Sequence, residues 1–282
     1  MSEGSIQPQV CPRHPDRETY LACTRCGQPA CPQCLVPAAV GFHCVDCLTT
    51  QTRPQGRTII GARSTGGKPL VTKVILFAAI AAFIAQQALP DFTRQFWLIG
   101  LAYDPPTLVG VAVGEWWRLL TVGFLHGGYV HIAFNMYALW LLGPNLEQIY
   151  GHRRFAAIYG LALIGGSTAS FLFNAPNTPA VGASGAIFGL FGATIVVARR
   201  LGRDASGIYS ILAINAVIGF VVPNIDWRAH AGGLVIGALA AWLLDGRRPR
   251  PMQFVGPALV LAGLVAAVAW RTMELRTALG LS

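Results

Sequence analysis

Polar and apolar positions in this chain are sorted into blocks instead of alternating as they do in a water-soluble domain. The first seventy or so positions are polar and punctuated by Gly and Pro. Apolar stretches then recur at roughly 71 to 89, 122 to 142, 155 to 173, 182 to 198, 207 to 222, 229 to 244 and 254 to 270. Each comes close to the about 20 residues that a helix needs to cross the hydrocarbon of a bilayer. Backbone facing lipid has no water to bond, so each stretch predicts a helix, and the fold class is an all-α polytopic membrane protein of six core spans plus one at the carboxyl end.

Composition agrees. With 54% hydrophobic and 12% charged residues and a mean hydropathy of +0.51, a soluble globular chain is excluded. The net charge of +9 raises nucleic acid as a partner, but its placement follows a membrane pattern, and no nucleic acid is expected. Alternate loops carry Arg153 and Arg154, then Arg199, Arg200 and Arg203, then Arg247, Arg248 and Arg250, whereas residues 174 to 180 contain no Lys or Arg. Cationic loops stay in the cytoplasm, so a multi-pass cell-membrane protein is expected with its amino terminus in the cytoplasm and its carboxyl terminus outside. The opening forty-odd residues lack the apolar core of a cleaved signal. The connection from Pro90 to about Leu120 holds Phe92, Phe96, Trp97, Tyr103, Trp116 and Trp117, a content that suits a loop partly immersed at the headgroups.

All seven cysteines fall between Cys11 and Cys47. They form close pairs: Cys11-x2-His14, Cys23-x2-Cys26, Cys31-x2-Cys34 and Cys44-x2-Cys47. Two such pairs complete a tetrahedron, so residues 1–50 are expected to hold two structural zinc ions on a reducing side of the membrane. A cross-braced arrangement groups Cys11, His14, Cys31 and Cys34 on one ion and Cys23, Cys26, Cys44 and Cys47 on the other; a sequential arrangement is the alternative. Apolar content here is too small for an unaided core, so metal binding supplies much of the folding free energy. His43 is read as a non-ligand. The pattern resembles B-box-like zinc modules, which implies a protein-interaction or regulatory unit with a protein partner. Residues 51–70 follow as a basic flexible linker with Arg53, Arg57, Arg63 and Lys68.

Within the apolar stretches, His126, His131, Asn135, Ser184 and His230 stand out, because polar groups at membrane depth usually face the bundle interior. Ser184 precedes Arg199 by 15 residues, and His230 precedes Asp245 by 15. Both therefore stand on the order of 22 Å from one boundary and can meet. A serine hydroxyl becomes a competent nucleophile when an imidazole accepts its proton. His131 and Asn135, four apart on one helix face, can join the Ser184 N–H as donors to a developing oxyanion. No carboxylate lies in the neighbouring stretches to orient the imidazole, which leaves packing and Phe188, one turn after the serine. Gly185-x3-Gly189 and Gly233-x3-Gly237 mark thin faces on the two stretches that carry the reacting groups.

In combination these residues resemble the rhomboid family of intramembrane serine proteases. Trp117-Arg118 is similar to that family's first-loop pair, and His126-x4-His131-x3-Asn135 to its second-span pattern. Gly182-Ala-Ser184-Gly185 is similar to its nucleophile motif, and Ala229-His230-x2-Gly233-x3-Gly237 to its histidine helix. The resemblance spans residues 71–245 and leaves 246–282 as an additional transmembrane helix and tail. It implies Ser184 as nucleophile, His230 as base then acid, and an oxyanion hole of His131, Asn135 and the Ser184 backbone, with no catalytic cofactor. It further implies His126 as a structural or accessory hydrogen-bonding residue and Arg118 as a determinant of the loop. Gly182, Gly185, Gly233 and Gly237 would give close packing. Phe188 stands where some members have tyrosine. The implied substrates are single-span membrane proteins cut near the outer boundary of the bilayer.

Overall fold

The structure, a computed structural model, describes residues 8–38, 41–49, 58, 68–221 and 225–280. The expected linker lies almost wholly outside these residues, including Arg53, Arg57 and Arg63. The chain divides into two compact units, 1–56 and 57–282.

The smaller unit contains two antiparallel hairpins, β1 (Gln9–Cys11) with β2 (His14–Thr19) and β3 (Leu35–Pro37) with β4 (Phe42–Cys44), followed by the short helix α1 (Val45–Thr49). Its buried cluster among the described residues consists of Cys11, Cys23, Cys31, Cys34 and Cys44 with Ala30 and Leu35, and Cys47 packs against it. Sulfur thus takes the place of an apolar core.

The larger unit is helical. It runs through α2 (Leu70–Ala88), α3 (Phe92–Phe96), the hairpin β5 (Ala102–Asp104) and β6 (Thr107–Val109), and α4 (Arg118–Thr121). It continues with α5 (Tyr129–Tyr150), α6 (His152–Phe173), α7 (Ser184–Arg200), α8 (Ser206–Val221), α9 (Trp227–Leu243) and α10 (Arg250–Ala278). Among the described residues seven long helices correspond to the seven apolar stretches, and α2, α6 and α10 are long and apolar enough to cross a membrane by length and composition. The apolar window of α6 is 67% buried inside the protein, against 17% for α2 and 11% for α10. The first is therefore the central post, and the other two keep most of their apolar surface for lipid.

One span needs correction. The second stretch was expected at 122 to 142, but residues 118–124 form α4 and a 3-10 turn, and the helix proper starts at Tyr129. Gly127 and Gly128 break it, with Gly128 at φ +153°, a conformation closed to residues with a side chain. The helix then continues past the apolar stretch to Tyr150, where the Glu147 carboxylate is satisfied by hydrogen bonds from α2 and by His152 Nδ1 at 2.5 Å. That carboxylate, fully buried, accepts the backbone N–H groups of Val71 and Thr72 at 2.8 Å each and the Thr72 hydroxyl at 2.6 Å. Glu147 thereby caps the exposed donors at the start of α2 from another helix.

Helices α6, α7 and α9 approach one another backbone to backbone. A Cβ on Gly237 would lie 2.3 Å from Gly189 Cα, one on Gly192 2.5 Å from the Leu234 carbonyl, and one on Gly232 2.7 Å from the Gly165 carbonyl. Only glycine permits this contact, and it sets the two helices bearing Ser184 and His230 at a separation no larger residue could reach.

Candidate active site and metal clusters

Ser184 and His230 both stand in the first turn of their helices, α7 and α9, at the same end of the bundle. Ser184 Oγ lies 2.8 Å from His230 Nε2, a hydrogen-bonding distance across 46 residues of sequence. Phe188 stacks flat on the imidazole, with centroids 4.1 Å apart and planes 7° from parallel, so packing sets the tilt of the ring. As the first residue of α7, Ser184 offers a backbone N–H from the turn whose amides have no partner within the helix.

His131 completes one wall. The Gly127 N–H donates to its Nδ1 at 3.2 Å, which puts the ring proton on Nε2 as a donor. That edge faces Gly182: a Cβ there would lie 3.0 Å from His131 Nε2 and 3.5 Å from Ser184 Oγ. Gly182 also has φ +137°, so its lack of a side chain is required twice. Asn135 is buried, and its Nδ2 donates to the His131 carbonyl at 2.9 Å. The amide carries a second N–H. His126 is buried with its ring 5.3 Å from that of His131, and neither of its ring nitrogens has a hydrogen-bond partner among the described residues. Its backbone is held by Gln86, which accepts from the His126 N–H and donates to its carbonyl.

The first long connection is pinned by Arg118. This guanidinium is 3% exposed, donates to the carbonyls of Arg94 at 2.8 Å and Trp97 at 3.0 Å, and pairs with Glu115 at 2.7 Å. Gly185 and Gly233 face each other below Ser184, where α7 and α9 touch.

The sequence pattern left one network unread. Asp226 caps α9, accepting the Ala229 N–H at 3.2 Å, and also accepts from Asn174 Nδ2 at 2.9 Å; Arg228 donates to Asn174 Oδ1 at 2.9 Å. These bonds fix the start of the helix four residues before His230. An Asp directly ahead of an apolar stretch is a legible cap signal, whereas its link to Asn174 is not.

In the smaller unit the donors gather as two sets, Cys11, His14, Cys31 and Cys34, and Cys23, Cys26, Cys44 and Cys47, each with ligand atoms within 4.8 Å of one another. This is the cross-braced grouping, and His43 belongs to neither set. His14 Nδ1 lies 3.2 Å from Cys34 Sγ, 3.4 Å from Cys31 Sγ and 4.0 Å from Cys11 Sγ, and Cys26 and Cys44 sulfurs are 3.8 Å apart. Zinc–sulfur bonds of about 2.3 Å make the edge of a tetrahedron roughly 3.8 Å, so the donors fit such an ion. Hydrogen bonding from the backbone at Cys31 pulls the Cys11 thiol down to about 6. Burial, and then the neighbouring Cys31 and Cys11 thiols, push Cys34 up to about 11.

Fold and site together define a polytopic α-helical membrane protein with a serine–imidazole pair inside its bundle. The Rhomboid domain profile matches residues 113–247. Over 208 residues, 72% of this chain, the sequence is 40% identical to Rhomboid protease GluP of Bacillus subtilis (strain 168), and the match spans 40% of that longer protein. It is 37% identical to the YdcA protein of the same strain over 147 residues, covering 50% of this chain and 74% of YdcA. RHOMBOID-like protein 5 of Arabidopsis thaliana is 35% identical over 142 residues, 48% of this chain and 46% of that one. The chain belongs to the rhomboid family.

Proposed function

We propose that this protein is an intramembrane serine endopeptidase that cuts membrane-anchored proteins through a Ser184–His230 dyad. The observation that carries this reading is the 2.8 Å approach of Ser184 Oγ to His230 Nε2, beneath a stacked Phe188. GluP supports it, since its name describes a rhomboid protease.

In this reading Ser184 Oγ attacks the scissile carbonyl while its proton passes to His230 Nε2. The carbonyl oxygen becomes an oxyanion and is held by the Ser184 N–H, the His131 Nε2–H and the second N–H of Asn135. His230 then returns the proton to the leaving amine, and the C–N bond breaks to leave an acyl-serine. Water attacks that ester with His230 as base, releasing the new carboxyl end and restoring the hydroxyl. Arg118 ties the first connection together through Glu115 and the Arg94 and Trp97 carbonyls, and the Gly182 backbone keeps room beside His131.

The charge asymmetry supports a cytoplasmic amino terminus, so the Ser184–His230 end opens toward the outer side and the carboxyl terminus lies outside. Single-span substrates would present an unwound bond there, because a helical carbonyl and amide are engaged internally. Two zinc ions on the two donor sets would fold residues 1–50 and take no part in hydrolysis.

The test is reconstitution of the purified protein with a panel of single-span substrates, comparing it with Ser184→Ala and His230→Ala. Both variants should insert normally and lose cleavage, and product masses should map the cut to the outer boundary. Undiminished turnover by folded Ser184→Ala protein would overturn the dyad.

A further inference from the structure

We propose that the ends of α7 and α9 opposite Ser184 and His230 form a binding cleft for a phosphate group, supplied by the headgroup of an anionic phospholipid. The cleft encloses about 570 Å³ and is lined by Arg199, Arg200, Arg247 and Arg248, with Trp242 and Asp245 between them. Four guanidinium groups thus face one carboxylate, and that carboxylate is already engaged. Asp245 Oδ2 lies 2.5 Å from Arg200 NH1, and Asp245 Oδ1 accepts the Arg247 backbone N–H at 2.9 Å.

Arg200 forms the floor. Its side chain is 9% exposed, and none of its three nitrogens has a hydrogen-bond partner among the described residues, the contact with Asp245 being ionic and poorly angled for a hydrogen bond. Asp245 balances the charge of Arg200 but leaves its buried N–H donors without hydrogen bonds, which native proteins rarely tolerate, and the three rim arginines keep the cleft strongly positive. The rim is preorganised: the Arg248 guanidinium lies 3.9 Å over the Trp242 ring, and Arg199 is anchored through Nε to the Tyr209 hydroxyl at 3.1 Å. Rim arginines can reach phosphate oxygens directly, in the planar, forked geometry that suits them, while Arg200 adds its charge from beneath. A topology signal alone asks only for cations near the boundary, not for a concave site with a buried arginine.

The apolar surface beside the cleft points to a lipid as the source. Val235, Leu239 and Trp242, exposed by 62%, 38% and 40%, occupy one face of α9 and lead from the cleft along the helix. An acyl chain attached to the bound phosphate would follow that stripe, and free phosphate has no use for it.

The test is native mass spectrometry of the full chain with phosphatidylglycerol, phosphatidylcholine or inorganic phosphate, comparing it with the Arg247→Gln/Arg248→Gln variant. Choline carries its own cation and should be rejected. The unaltered protein should retain phosphatidylglycerol about tenfold better than phosphatidylcholine, and the double variant should lose this preference. Millimolar inorganic phosphate should not displace the lipid. Equal retention of the two lipids, or an undiminished preference in the variant, would overturn the cleft; displacement by phosphate would overturn the lipid assignment. Melting in phosphatidylcholine reports whether the double variant folds, and Arg199→Gln provides a second rim variant if it does not.

Discussion

The carbonyl of Gly185 on α7 and the Cα of Gly233 on α9 are so close that a Cβ added to Gly233 would stand 1.9 Å from the oxygen. Neither side can yield, because both contact groups are backbone. Gly233→Ala must therefore push α9 away from α7, and the displacement falls within one turn of both Ser184 and His230. Overpacking of this kind costs about 1–3 kcal/mol. The variant should melt lower and lose most labelling of Ser184 by a serine-reactive probe. Gly160→Ala, where nothing lies within 4 Å of the added Cβ, should leave both unchanged.

The Phe188 ring stacks on the His230 imidazole with centroids 4.1 Å apart. Phe188→Tyr keeps the face and should retain labelling. Phe188→Ala frees the ring to rotate and should slow labelling roughly fivefold, the equivalent of an aromatic pair of about 1 kcal/mol. Probe labelling rates measured side by side, with melting temperatures as a check on folding, decide the matter; equal rates for alanine and phenylalanine would remove the orienting role.

Asp226 supplies the cap of the histidine-bearing helix. Asp226→Ala should destabilise the protein by about 1 kcal/mol and reduce turnover, whereas Asp226→Asn, which retains a capping oxygen, should recover most of the stability. Thermal melting in detergent distinguishes the two. Equal losses would show that the bond from Asn174 matters more than the cap.

Glu147 serves three donors of α2 at once. Glu147→Ala strands two backbone amides and a hydroxyl inside the bundle and should cost about 1–3 kcal/mol or more. Thr72→Val removes one of the three bonds and should cost clearly less. Denaturation of both variants in mixed micelles gives the ordering, and a Thr72 effect as large as that of Glu147 would contradict the cap.

Elemental analysis of the reduced, full-length protein should find two zinc ions per chain, and one after Cys34→Ser, since that residue belongs to only one of the two donor sets. Stripping both with a strong chelator should unfold the smaller unit while cleavage by the helical unit persists. Metal-free protein with that unit still ordered would contradict coupled folding.

The long helices among the described residues, and the polar side chains set within or at the ends of them, were legible in the sequence for one reason. Hydrocarbon imposes a length on every span and makes each polar side chain within one conspicuous, as with Ser184, His230, His131 and Asn135. Cysteine spacing likewise exposed four chelating pairs, because a metal ion demands donors at short range, but it left open which pairs combine. Helix ends were less legible. The glycine pair before Tyr129 and the hydrogen bonding of Glu147 set the ends of α5 several residues from the apolar stretch, and the second of these depends on backbone amides 75 and 76 positions away. Tertiary structure alone decided what charge and small size are for. Burial of Glu147, Arg118 and Arg200 depends on partners supplied by other elements, and the absence of a side chain at Gly233 matters only because Gly185 lies against it.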